Sequence, residues 1–74
     1  MRKNIYSPIS KRIVHKLKLA RKQAGLDQKQ VAKHLGVTQS LVSKIESGQV
    51  RLDVTQLLEL ARLYQKHVTF FLEQ

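Results

Sequence analysis

Three times along this chain an apolar residue and a helix-capping residue stand directly before a run of helix formers: Leu26-Asp27, Val37-Thr38 and Leu52-Asp53. A helix start leaves backbone N–H groups without partners, and an Asp or Thr side-chain oxygen at the boundary accepts one of them. After each Asp, the glutamine three positions on, Gln30 or Gln56, is placed to reach back to the capping residue's own N–H. The apolar residue before each cap finds a partner at Val31, Val42 or Leu57, which staples the entry of the helix. Ser7-Pro8 opens a further helix, with Ser7 as cap and proline at the first helical position. Ile9, Ile13, Leu17, Ala20 and Ala24 then recur at helical spacing and predict one buried stripe, and Gly25 stops the run. The predicted helices span 8–24, 28–35, 39–47 and 54–65, with a short fifth around 68–72. No strand-like alternation interrupts them, so the reading is an all-α, compact five-helix domain over 8–74, preceded by a basic arm at 1–7.

A chain of 74 residues without cysteine has neither disulfides nor thiolate metal sites to hold it, so packed apolar side chains must do so, helped in an oligomer by a partner subunit. No apolar run approaches membrane-spanning length, and the N-terminus lacks the apolar core of a signal peptide; a soluble, cytoplasmic protein is expected. Charge then narrows the partner. Lys and Arg number 14 against 5 Asp and Glu, a formal +9, and no acidic residue precedes Asp27. From Asp53 onward the balance turns slightly negative. This asymmetry fits a polyanion on one face, with nucleic acid favoured over a merely solvated surface.

Between the second and third predicted helices lies only Gly36-Val37-Thr38. Two short helices joined by a three-residue turn containing glycine form a helix-turn-helix. Ala32 is small where the helices cross, Gly36 permits the sharp turn, and Val31, Leu35, Val37, Val42 and Ile45 supply the apolar wedge. The set Gln28, Ala32, Gly36-Val37, Val42, Ile45-Glu46 and Gly48, at this spacing, resembles the phage Cro and repressor class of helix-turn-helix proteins, the XRE family. The resemblance covers about residues 9 to 72 and is densest over 39–54. It implies a lambda-repressor-like fold and a transcriptional regulator, expected to be a repressor, whose third helix enters the major groove of a palindromic site on double-stranded DNA.

By the same resemblance, Gln39 and Ser40, with Ser43 and Lys44 one turn on, read bases. Their chemistry suits base reading, since glutamine pairs with adenine N6 and N7, lysine reaches guanine O6 or N7, and serine adapts to either. Leu41 meets a thymine methyl or packs over the core edge, and partial packing is favoured. Gln28 is expected at a phosphate, where the start of its helix attracts anions. Ser47, Gln49 and Arg51 follow the reading helix and are expected to clamp the DNA backbone, as is Thr38 beside its capping duty. Arg21 lies in the basic half, yet the resemblance pairs it with Glu46 as a structural ion pair instead of placing it on DNA.

The three histidines, His15, His34 and His67, have no helical partner among themselves, and no metal site or other cofactor is expected. No nucleophile–base arrangement stands out, and the domain is small for an enclosed pocket, so an enzyme is not expected. The fourth helix is apolar over more than one stripe, and Val68, Phe70, Phe71 and Leu72 follow closely. A two-fold dimer is implied by the resemblance, with Leu58, Phe70, Phe71 and Leu72 as expected interface; closure of the monomer core by one of the two phenylalanines is the competing reading. A second function class has the same domain: an antitoxin-like module that binds a partner protein and autoregulates its operon. A basic helix lying on anionic membrane is a third, disfavoured because the stripe Ile9–Ala24 has a use in the core.

Overall fold

The computed structural model describes residues 8–73; the arm at 1–7 and the cap assigned to Ser7 lie outside them. Five helices follow in order: α1 (Pro8–Gln23), α2 (Gln28–Leu35), α3 (Gln39–Glu46), α4 (Val54–Leu63) and α5 (Thr69–Leu72). Among the described residues there is no strand. The helix starts follow the local code. Asp27 Oδ1 accepts from Gln30 N–H at 2.8 Å while Gln30 Oε1 accepts from Asp27 N–H at 2.9 Å. Asp53 and Gln56 repeat the reciprocal pair at 2.7 and 3.3 Å, and Thr38 Oγ1 accepts from Leu41 N–H at 3.1 Å.

The helix ends share a device too. After each of the first four helices, one residue takes the left-handed conformation and the next N–H reaches back to a carbonyl five residues earlier: Leu26 to Arg21, Val37 to Ala32, Gln49 to Lys44 and Lys66 to Ala61. Gly36 turns the chain between α2 and α3 with φ of 70°; a Cβ there would meet no neighbour, so its requirement is conformational and not steric crowding. At the end of α4 the left-handed residue is Gln65, φ 57°, which lacks glycine's freedom. No glycine marks this stop, and the helix ends at Leu63, two residues short of the expected span to 65.

The core gathers Leu17 and Ala20 from α1, Val31 and Ala32 from α2, Val42 and Ile45 from α3, Leu60 and Ala61 from α4, then Tyr64 and Phe71. α1 packs on α3 and α5, and α2 packs on α3. Of the six staple residues, Val31 and Val42 belong to this core, and Leu26, Val37, Leu52 and Leu57 lie half-buried against it. Two ends of the expected α1 stripe differ: Ile9 is 61 % exposed and Ala24 lies in the turn beyond the helix, exposed. The buried part of α1 is centred on Leu17, Ala20 and Arg21, where α3 and α5 meet it.

Phe71 corrects the expected dimer interface. Its side chain is fully buried within one chain, so it has no area to offer a partner. Phe70 is half-buried and meets Phe71 edge-on with centroids 5.1 Å apart. The ammonium groups of Lys16 and Lys66 stand 5.0 and 4.7 Å from the Phe70 ring centroid, and Lys16 Nζ also donates to the Phe70 carbonyl at 2.9 Å. The two Lys16 contacts fasten α5 to α1 across 54 positions of sequence, while Lys66 reaches the ring from four positions before it. Leu58 and Leu72, 51 % and 54 % exposed, remain open.

Candidate nucleic-acid interface

α3 is eight residues long and its two sides are sharply different. Val42 and Ile45 face the core and Leu41 is half-buried against it. Gln39, Ser40, Ser43 and Lys44 are all exposed, and their i, i+1, i+4, i+5 spacing sets them on one side of the helix. The structure therefore brings the four expected base-reading residues into one polar row near the N-terminal end of α3. Leu41 does not join that row, because its packing against the core draws it aside.

Around the row lie exposed Thr38 before the helix, and exposed Ser47, Gln49 and Arg51 after it. Thr38 Oγ1 accepts the capping bond, which leaves its O–H free to donate. Ser47 differs: its hydroxyl donates to Lys44 O at 3.2 Å, so it must exchange that bond before it can donate elsewhere.

Behind the row is a polar network on α1, α2 and α3. Arg21 Nε donates to Glu46 Oε2 at 2.7 Å, Arg21 Nη2 to Glu46 Oε1 at 3.1 Å, and Arg21 Nη1 to the Leu26 carbonyl at 2.9 Å. The side chains of Arg21 and Glu46 are only 10 % and 6 % exposed. The hydrogen bond to Glu46 raises the Arg21 pKa further above its ordinary value, against the opposing effect of burial. Gln28 Nε2 completes the network by donating to Glu46 Oε1 at 3.1 Å. One amide hydrogen of Gln28 is thus committed inward, and its second, with its oxygen, remains for another partner. This bond spans 18 residues and had no signal in the local sequence pattern.

The network also shapes the electrostatics. Glu46 is the one acidic residue between Gln28 and Leu52, and its charge is taken up by Arg21. Lys29, Lys33, Lys44 and Arg51 are exposed on the same stretch of chain, which is flanked by the exposed capping residues Asp27 and Asp53, so the stretch itself carries a net positive charge. That arrangement suits a phosphate backbone. Tyr64 sits near the network and is 5 % exposed; burial, reinforced by the Glu46 charge, pushes its hydroxyl up to about 12. Among the described residues no three His, Cys, Asp or Glu side chains are placed to share a metal ion, and no helix is long and apolar enough to cross a membrane.

Comparison with known proteins agrees with this geometry. A family model described as helix-turn-helix matches residues 17–71, from the middle of α1 to α5. Searches of curated proteins and of solved structures gave no match.

Proposed function

Because the chain belongs to the Cro/C1-type (XRE) helix-turn-helix family of DNA-binding regulators, we propose that it is a sequence-specific repressor that reads a palindromic operator with α3 as a homodimer. The observation that carries the reading is the α3 row: four exposed polar side chains on a helix whose other side is locked into the core. In this proposal Gln39 and Ser40 contact bases, with Ser43 and Lys44 beside them. Thr38, Gln49 and Arg51, with the uncommitted amide hydrogen of Gln28, hold phosphates and fix register. Ser47 joins them on exchanging its internal bond.

For the dimer, Leu58 and Leu72 supply exposed apolar surface, joined by Val54, which is 73 % exposed one turn before Leu58 and lines a shallow cleft with Leu72. A two-fold arrangement through this surface sets the two copies of α3 about 34 Å apart, one turn of the duplex. Phe70 serves at its edge, under Lys16 and Lys66.

The test is binding of Gln39→Ala and Arg51→Ala to the preferred duplex and to unrelated duplexes. Gln39→Ala is expected to cost about 1–3 kcal/mol on the preferred site and little elsewhere. Arg51→Ala is expected to weaken binding to every duplex and to reduce the salt slope by about one. Equal losses on all sequences for Gln39→Ala would remove the base-reading role.

A further inference from the structure

α1 carries a charged face that operator reading leaves unused. Lys11, His15, Lys18 and Lys22 are all exposed, and their i, i+4, i+7, i+11 spacing places them in one stripe along the helix. The core-facing side, with Leu17, Ala20 and Arg21, is turned the other way. α3 lies against that inner side, where Arg21 meets Glu46, so the stripe is turned away from the contact that α1 makes with α3. Of the other cations of α1, Arg21 holds Glu46, Lys16 holds Phe70, and Arg12 is half-buried beside the stripe. Lys11, Lys18 and Lys22 take part in no ion pair with a carboxylate of the described residues, and α1 contains no acid.

Three like charges within one helix stripe repel one another mildly and add nothing to the fold. We propose that this stripe is a second duplex-binding surface, so that one molecule seated on DNA through α3 takes hold of another DNA segment through α1. The proposal goes beyond operator reading and uses none of its residues. Charge complementarity selects the occupant. From Lys11 to Lys22 the helix rises about 16 Å, a length along which one DNA strand presents about five phosphates. The centres of protein–protein interfaces are depleted in lysine and built on aromatic anchors, and the stripe has lysine and no aromatic residue. Protein–DNA interfaces are far more positive. Lysine suits this role as a mobile point charge that follows a phosphate run without reading sequence.

Capture of one duplex by another tests the proposal. A duplex is fixed to beads, the protein is bound and washed, and a fluorescent duplex of unrelated sequence is added at about 50 mM salt. The wild-type chain is expected to retain the fluorescent duplex, and three phosphate contacts predict a loss of about 40-fold in that retention affinity between 50 and 200 mM salt. The variant K11Q/K18Q/K22Q is expected to stay on the beads and to lose at least about tenfold of the captured duplex, while K11R/K18R/K22R keeps it. Glutamine, arginine and lysine have similar helix propensity, and equal melting temperatures of the three proteins verify the fold. Two results would overturn the proposal: undiminished capture by the glutamine variant, or a wild-type chain that stays on the beads and captures nothing. Failure of α3 reads differently. There, with the preferred duplex on the beads, Gln39→Ala/Lys44→Ala remains as well as wild type does, and the glutamine variant of the stripe leaves them.

Discussion

Removing Glu46 alone strips Arg21 of two hydrogen bonds and of its counter-ion, in a place where the arginine side chain is 10 % exposed. Gln28 loses its acceptor at the same time. A buried charge left without its partner costs about 3–5 kcal/mol. At about 0.05–0.15 kcal/mol per residue, a chain of 74 residues has a stability of about 4–11 kcal/mol. Glu46→Leu therefore takes away about a quarter of it or more, and at about 4–8 °C per kcal/mol it lowers the melting temperature by about 12–40 °C. Arg21→Met is expected to cost a similar amount, because it leaves a carboxylate 6 % exposed and the Leu26 carbonyl without its donor. The double variant R21M/E46L removes both charges and fills the space with apolar atoms, so it recovers most of the loss. Urea unfolding of the four proteins gives the coupling energy directly. A cost below about 1 kcal/mol for Glu46→Leu, or a double variant as unstable as the sum of the single ones, would refute the claim that this pair holds α1 to α3.

Two further predictions concern the end of α4. Gln65→Gly relieves a left-handed non-glycine residue and is expected to stabilise the fold by about 0.5–1 kcal/mol; unfolding midpoints that do not rise would show that Gln65 gains something there that glycine lacks. Tyr64 ionises more reluctantly in the folded state, its pKa of about 12 standing above the ordinary 10, so its stabilising contribution is whole below pH 10 and disappears as pH rises towards 12. Across that window the fold is expected to lose about 2–3 kcal/mol through this group, and Tyr64→Phe is expected to flatten that part of the stability–pH curve. An unchanged slope in the phenylalanine variant would assign alkaline sensitivity to other groups.

Much of the fold was legible because its signals are local. A cap and a staple lie within six positions at all three starts, Gln28, Gln39 and Val54, and at the first and third a glutamine three residues after the cap adds to the signal. The stop of α4 was hidden, since Gln65 adopts a conformation that its side chain does not advertise. Ile9 and Ala24 carry the helical period of α1 past the elements that cover it, and periodicity alone cannot report where a partner ends. Phe70 and Phe71 are adjacent aromatics in a four-residue helix, and only the packing of α5 on α1 decides which one enters the core. The polar row of α3 was visible as residue types at a spacing. The bonds from Gln28 to Glu46 and from Lys16 to Phe70 depend on contacts across 18 and 54 positions and had no local trace.

Whether α3 reads sequence is decided by selection from a randomised duplex library at about 150 mM salt, physiological ionic strength. Enrichment of one palindrome whose half-sites lie about 10 base pairs apart is expected, with discrimination lost at a defined position in Gln39→Ala. Salt-sensitive retention with no sequence enriched would contradict the base-reading role of α3, and would leave a basic domain that coats DNA through phosphate contacts alone.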